Sequence, residues 1–156
     1  MKIQKVLKLT LLSIIYAVLF CIAWIAIYRV MSPLRATKVS RMNTEIQSSF
    51  REDSIRIGAY NIAHGRGAET AKSNLEGGSR QERLLRLDKI ANLVKEQNLD
   101  LVILNEVDFD CSWSHGMNHA HHIAEKAGFP FIFTQRNMDV SFPFYKISIG
   151  NAVLSK

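Results

Sequence analysis

Two polar residues, Asn61 and Glu106, stand where segments of strand length end, and together they could support metal chemistry. In 54–62 the β-branched and aromatic residues alternate with others, as in a strand, and 101–104 is a short continuous apolar run. A carboxylate beside an amide suits a hard cation such as Mg²⁺, which takes a few protein oxygens and keeps the rest of its shell for water and phosphate. On the residues alone, an opposite interpretation is equally good: Asn61 caps a turn and Glu106 is a solvated acid at a strand end.

The segment between these two strands decides whether the two residues meet. Across 82–96 the apolar residues follow a helical period and form one face, made of Leu84, Leu87, Ile90, Ala91 and Val94. A helix between two strands normally returns the chain for a parallel pairing, so both strands should end at the same edge of one sheet. That edge is the usual position of a site in α/β folds. We also expect 101–104 to be buried on both faces of the sheet.

Loops and short elements alternate along the rest of the soluble part. Residues 64–80 and 108–116 are predicted as loops, the first of them rich in glycine. A short helix is predicted at 118–127, with a glycine and a proline soon after it, and further strands at 131–134 and 150–155. This order of elements predicts an α/β domain.

The first third of the chain does not resemble a soluble core. Residues 9–28 form a run of 20 without charge, which as a helix spans roughly 30 Å, the thickness of a bilayer's hydrocarbon layer. We predict a basic tail at 1–8, an uncleaved transmembrane signal anchor at 9–30, a juxtamembrane linker at 31–53 and a folded domain at 54–156. Two alternatives stay open: a cleaved signal peptide, although no A-x-A pattern follows the run, and a buried helix of a soluble protein.

The formal charge of +6 lies in the N-terminal part of the chain. Residues 1–50 carry seven Lys or Arg against one acid, whereas 51–156 carry 13 Lys or Arg and 13 Asp or Glu. Because the basic excess flanks the apolar run, it fits membrane lipid as the partner and gives no support for a nucleic-acid substrate. The short basic tail favours an N-terminus inside the cytoplasm and a domain outside it. Cys21 and Cys111 fall in different parts of the chain and do not decide the redox compartment.

Three stretches of the chain follow one another in a specific order and spacing. They are A-Y-N-I-A-H-G-R-G at 59–67, D-L-V-I-L-N-E-V-D at 100–108 and G-N-A-V-L-S-K at 150–156. In this arrangement the chain resembles the endonuclease/exonuclease/phosphatase family, which includes deoxyribonuclease I and the neutral sphingomyelinases. It resembles the bacterial metal-dependent hydrolases of the family most, and the resemblance covers nearly all of the soluble part.

The resemblance implies a deoxyribonuclease I-like fold, a four-layered α/β sandwich of two sheets with helices outside, here preceded by one transmembrane helix. It also implies a Mg²⁺- or Mn²⁺-dependent hydrolase of phosphate esters, with a phosphodiester as the substrate of the intact form. Glu106 would bind the metal, and Asn61 would act as both a catalytic and a metal-site residue. His64 is expected to take part in catalysis, and Arg66 and Asp108 are expected to contact the substrate. A loop histidine bonded to backbone and a solvated aspartate explain His64 and Asp108 equally well.

The later motifs of the family do not occur before the sequence ends at Lys156. They are a mid-domain histidine, a D-x-N strand end and a terminal Asp-His pair. We therefore expect the N-terminal half of the domain, with an apolar sheet face left uncovered and with catalysis by this chain in question. The rival hypothesis is a non-catalytic truncated membrane protein or interaction module that keeps the motifs without the activity.

A second and weaker metal hypothesis rests on histidines. His115, His119 and His122 are spaced as on one helix, with His121 adjacent, and three imidazoles could bind Zn²⁺. However, Gly116 weakens a helix that reaches back to the first of them, and no second cluster completes a zinc pattern. A structural role or plain solvation is the stronger interpretation.

Overall fold

The computed structural model of the chain describes residues 2–42, 54–67, 73 and 76–156. The predicted linker and the first predicted loop each fall in part outside these residues, at 43–53, 68–72 and 74–75. The helices and strands, in chain order, are α1 (Lys2–Met31), β1 (Thr37–Arg41), β2 (Ile57–Asn61), α2 (Arg80–Glu96), β3 (Leu101–Asp108), α3 (His119–Ala127), β4 (Phe131–Phe142) and β5 (Tyr145–Ser155).

The N-terminal helix α1 has 30 residues and is long and apolar enough to cross a membrane. Its side chains are almost all exposed, which in water would leave apolar surface uncovered on every side of the helix. The uncharged stretch 9–28 lies wholly inside it, between the lysines of its first turns and Arg29. The helix predicted at 9–30 is therefore confirmed as a helix.

The linker predicted at 31–53 is wrong for its first part. Pro33 lies at the start of a short 3₁₀ segment, Ser32–Arg35, where its missing N–H is not needed. Immediately afterwards β1 pairs antiparallel with β4, with Val39 opposite Phe133. The chain therefore passes from α1 into the sheet within a few residues, because β4 offers an unpaired edge to the segment that follows the helix.

The strands form one five-stranded sheet in the order β1-β4-β5-β3-β2. β2 and β3 are parallel, with Asn61 opposite Asn105, and this confirms the pairing expected from the helix between them. The other three pairings are antiparallel. The described residues make this one sheet, so the second sheet implied by the resemblance stays a prediction.

One face of the sheet is covered by α2 and α3 and forms the core. The predicted apolar face of α2 packs there, since Leu87, Ala91 and Val94 are buried. From the sheet, Val102 and Leu104 are at most 1% exposed. This burial is the main source of stability for the domain, because removal of apolar surface from water is the dominant favourable term in folding.

The opposite face of the sheet carries an apolar row that no described residue covers. Val39, Phe133, Val153 and Ile103 register opposite one another across four strands. Val39 is 71% exposed, Phe133 40% and Ile103 36%. The expectation that 101–104 is buried on both faces is therefore wrong, because side chains alternate along a strand and Ile103 points to the uncovered side. The expected uncovered apolar face is confirmed for the described part of the chain.

Local signals explain the bounds of the two domain helices. α2 begins at a capping box, in which the Ser79 hydroxyl accepts from the Glu82 N–H and the Glu82 carboxylate accepts from the Ser79 N–H. These hydrogen bonds from Ser79 lower the pKa of Glu82. α3 begins after Asn118, whose side chain accepts from the His121 N–H, and ends at Gly128 with φ of 81°. Both helices confirm the predictions.

Candidate active site

Glu106 lies in an irregular part of β3 that turns its side chain outwards. The register between β3 and β5 shifts between Leu104 and Val107, and Glu106 has a left-handed φ of 55°. Such a conformation is costly for a residue with a Cβ, and it concentrates at functional sites where the surrounding structure enforces it. A bulge re-aims a side chain. The Glu106 carboxylate is accordingly 42% exposed, although its neighbours Val107 and Asp108 are completely buried.

Asn61 ends β2 beside Glu106, as predicted. Its amide Nδ2 donates to Glu106 Oε1 at 2.8 Å, and its Oδ1 accepts from the Ala63 N–H at 2.8 Å. The amide is thus used at both ends, to fix the carboxylate and to fix the turn that follows β2. The structure brings the two predicted residues together, and in this arrangement the Asn61 amide orients the Glu106 carboxylate while its own oxygen is used by the Ala63 N–H.

His64 lies in the turn that Asn61 holds. The turn is a 3₁₀ segment, Ala63–Gly65, and His64 has a φ of 55°. Its Nδ1 lies 2.6 Å from Asp108 Oδ1. Since a carboxylate can only accept, Nδ1 carries the proton and Nε2 is the free ring nitrogen. Nε2 faces Glu106 Oε2 at 3.7 Å, so the predicted catalytic histidine and metal ligand are neighbours.

Asp108 lies beneath these residues, where a substrate cannot reach it. Its side chain is 0% exposed, and its second oxygen, Oδ2, accepts from Trp113 Nε1 at 2.7 Å. The predicted contact with substrate is therefore wrong for this arrangement. Asp108 holds the His64 ring instead, because a histidine's orientation and tautomer are set by the bond that its other nitrogen makes.

A buried arginine completes the base of the site. Arg83 of α2 is 0% exposed, and its Nη1 donates to the His64 carbonyl oxygen at 2.8 Å. Burial lowers the pKa of Arg83. The apolar face predicted for α2 does not include Arg83, so the helical pattern did not indicate this residue. A charged residue one position before that face is the signal that could have indicated it.

A cleft of about 310 Å³ opens above the Glu106 carboxylate. Its lining contains three predicted residues and four others: His64, Arg66, Glu106, Asn137, Ile149, Gly150 and Asn151. Arg66 is thus at the cleft, as predicted for a substrate contact. Asn151 belongs to the third motif, for which the sequence indicated no role, and Asn137 lies beyond the strand predicted at 131–134, at a shift of register that sequence patterns do not indicate. Amides and an arginine together can bind a phosphoryl group by hydrogen bonds.

Gly150 explains why the cleft wall has no side chain at its centre. It lies opposite Arg136, where the pairing of β4 with β5 shifts register before Met138. A Cβ at this position would collide with the carbonyl oxygen of Gln135. Only glycine allows the two backbones to approach so closely, and the resulting bulge places Asn137 and Asn151 at the cleft.

The chemistry of the donors fits a hard divalent ion at Glu106. Mg²⁺ is usually held by one or two carboxylates, several waters and the phosphates of the substrate. Glu106 lines the cleft, and within the described part of the chain no group of three or more His, Cys, Asp or Glu converges on one position. An ion at Glu106 would take one carboxylate from these residues and fill the rest of its coordination shell with water and substrate oxygens.

The histidines of the alternative zinc hypothesis point to different partners. His115 Nε2 lies 3.1 Å from the Gly78 carbonyl oxygen, and His122 Nε2 lies 2.8 Å from Asp88 Oδ1. His119 is fully buried, and burial lowers its pKa to about 4. The three imidazoles therefore do not share one position, which favours the structural interpretation.

No protein-family model, curated protein or solved structure matches this chain. The family resemblance rests on the three sequence motifs, and the activity that it implies is a proposal.

Proposed function

We propose that the chain carries the metal-binding half of a Mg²⁺- or Mn²⁺-dependent phosphoric ester hydrolase of the endonuclease/exonuclease/phosphatase family, with its deoxyribonuclease I-like sandwich. The substrate class is a phosphodiester. The observation that supports it best is the arrangement of Asn61, Glu106 and His64 at the common edge of two parallel strands, beside a cleft. A strained, exposed carboxylate that is oriented by an amide is difficult to explain by packing alone.

Each residue has a distinct task in this proposal. The ion, when bound, polarises the phosphoryl group and neutralises charge that develops on its oxygens. Glu106 holds the ion, and Asn61 keeps the carboxylate pointed at it. His64 Nε2 faces the cleft with its ring fixed by Asp108, so it can take a proton from an attacking water or donate one to a developing oxyanion. Arg66 binds a phosphate oxygen from the rim of the cleft.

The same proposal places the domain at a membrane, outside the cytoplasm. Support for the membrane comes from the length and apolar composition of α1, and the short basic tail before the uncharged run favours the orientation. A tether of this kind restricts the enzyme to substrates that reach the membrane surface. It also explains the exposed side chains of α1, for which lipid is the fitting solvent.

A second candidate function is a non-catalytic interaction module. The observation that favours it is the uncovered apolar row at Val39, Phe133 and Ile103, since exposed apolar patches of this kind mark interaction surfaces. Under this alternative the motifs persist as structure, and the cleft binds metal weakly or not at all.

Hydrolysis of bis(p-nitrophenyl) phosphate by the purified chain separates the two candidates. We expect release of nitrophenolate that needs Mn²⁺ and stops when EDTA removes the ion. Glu106→Gln should abolish it, whereas the matched variant Glu96→Gln, at the exposed end of α2, should retain it. Folded protein that hydrolyses no diester, or Glu106→Gln with full activity, contradicts the enzyme proposal.

A further inference from the structure

The junction between α1 and the domain is a buried polar cluster. The Tyr28 hydroxyl donates to Asp139 Oδ1 and Arg35 Nε donates to Asp139 Oδ2, each at 3.0 Å. The guanidinium of Arg35 also lies 4.1 Å from the centre of the Tyr28 ring. Burial raises the pKa of Asp139, but the hydrogen bonds from Arg35, Ser148 and Tyr28 outweigh it, and the net pKa is lowered. A 3% exposed aspartate that accepts from Tyr28 and Arg35 ties α1 and the segment after it to β4.

β4 runs back along α1 from this junction. Arg136 contacts the carbonyl oxygens of Arg35 and Ala36, whereas Asp139, three residues further along β4, contacts Tyr28. Tyr28 and Arg35 are separated by the last turn of α1 and the 3₁₀ segment Ser32–Arg35, a distance similar to the roughly 10 Å of three strand residues, so the strand and the helix lie side by side in opposite directions. A further step of about 10 Å is three residues along β4 and seven residues along α1. It reaches Phe142, beside the turn between β4 and β5, at the level of Cys21. α1 contacts β4, and the half-buried positions Cys21, Ile25 and Tyr28, at steps of four and three, lie on one face of the helix.

The turn that reaches this level is uncharged and aromatic. Residues 140–145 read V-S-F-P-F-Y and contain no Asp, Glu, Lys or Arg. Phe144 is 89% exposed, Phe142 42% and Tyr145 36%. A soluble surface has little reason to present three neighbouring aromatic rings, and aromatic residues concentrate where a protein meets the membrane interface.

We propose that the tip of the β4–β5 hairpin, 142–145, is a second membrane-binding element that inserts into the same lipid leaflet as the C-terminal end of α1. The inference rests on the proposed anchor. With the uncharged part of α1 ending at Tyr28, a tip at the level of Cys21 lies about 10 Å below that boundary, the depth to which interfacial apolar groups bury.

Two contacts with the bilayer fix the orientation of the domain in a way that one helix does not. Asn137 and Ile149 line the cleft, and both lie on the two strands that end in the inserted tip. The cleft is therefore held at a set height above the lipid, on the side of the domain that carries the hairpin. Residues 140–145 offer apolar contacts and no charged side chain that could form an ion pair. The acyl chains of lipids therefore fit the tip better than a charged protein surface does.

Fluorescence quenching in vesicles tests this insertion. The full chain, with Cys21→Ala, is reconstituted into phosphatidylcholine vesicles that contain a lipid with a nitroxide on its acyl chain. Single cysteines labelled with an environment-sensitive fluorophore are placed at the tip (Phe144→Cys, and separately Phe142→Cys), in the anchor (Ala17→Cys) and at an exposed control position on α3 (Glu125→Cys). Cys111 stays unlabelled because it is buried, and burial raises the pKa of its thiol to about 12.

We expect blue-shifted emission and strong nitroxide quenching at both tip positions, comparable with the anchor position, and none at the control. If the anchor is quenched and the tip behaves like the control, the insertion is wrong and the anchor stands. A tip shielded from aqueous iodide but not quenched from the lipid would mean protein contact, which also overturns it. If the anchor position is not quenched either, both the insertion of the tip and the proposed anchor are wrong. Diester hydrolysis of the same samples reports separately on the proposed enzyme.

Discussion

Glu106 and Asp108 are two residues apart on one strand, yet their carboxylates occupy opposite environments. The first is 42% exposed and faces the cleft, and the second is completely buried between His64 and Trp113. In a regular strand, residues two apart point to the same side. The bulge and the left-handed φ of Glu106 break that rule and separate a carboxylate free to bind a cation from one that serves the structure.

The difference shows how one short motif can supply both an exposed carboxylate and a buried one that supports the neighbouring histidine. Asp108 cannot leave its two donors without exposing a buried charge, so the ring of His64 is held in place. Glu106 has no such constraint, because its carboxylate is 42% exposed and remains hydrated when it leaves Asn61. The four predictions below test this contrast, from the largest expected effect to the smallest.

Removal of the buried carboxylate should have the largest effect. Asp108→Ala leaves the N–H groups of His64 and Trp113 without acceptors in a buried site, and we expect it to lower the free energy of unfolding by about 3 kcal/mol or more. Urea denaturation followed by circular dichroism, with the chain in detergent, measures the loss. A variant as stable as the parent chain would contradict the structural role of Asp108.

Acid should weaken the buried region through His119. Burial lowers the pKa of His119 from 6.5 to about 4, so the unfolded chain binds more protons than the folded chain between these two values. The stabilisation is complete above pH 6.5 and is lost as the pH falls towards 4, by about 3 kcal/mol in total. The variant His119→Leu should flatten this part of the stability profile, measured by urea denaturation at each pH. An unchanged slope would show that another group titrates there.

Loss of the orienting amide should weaken metal binding by a smaller amount. Asn61→Ala removes the hydrogen bond to Glu106 Oε1, and we expect the affinity for Mn²⁺ to fall about tenfold, as is typical when a group behind a ligand is removed. Isothermal titration gives the affinity. The exposed Asn92→Ala on α2 is the matched control and should bind as the parent chain does. Equal affinity in both variants would mean that the amide does not position the carboxylate.

The smallest effect should come from neutralising the exposed carboxylate. We expect Glu106→Gln to change the free energy of unfolding by no more than about 0.5 kcal/mol, because the side chain is 42% exposed and the glutamine amide oxygen can still accept from Asn61 Nδ2. Urea denaturation of Glu106→Gln and Asp108→Ala under the same conditions compares the two carboxylates directly. A loss as large as that of Asp108→Ala would show that both carboxylates serve the structure.

Sequence patterns predicted the elements that carry strong local signals. The apolar face of α2 and the parallel pairing of β2 with β3 are both confirmed, so Asn61 and Glu106 could be placed at one edge in advance. β1 was missed because its formation depends on a free edge of β4, about 90 residues away along the chain, and no local pattern records that.

Within the site, the missed features depend on long-range packing. The bulge at Glu106 arises from the pairing of β3 with β5, and the burial of Asp108 requires Trp113 and His64 above it. Spacing alone therefore assigned similar exposure to both carboxylates. Asn137 could not be selected because only the close approach at Gly150 brings its strand to the cleft.

Titration of the full chain with Mn²⁺, compared with Glu106→Gln, tests the central claim most directly. The account predicts one ion bound per chain and a loss of measurable binding in Glu106→Gln, at a pH where both proteins are shown to be folded. Equal binding by the two proteins, or none by the parent chain, would contradict the assignment of Glu106 as the metal ligand.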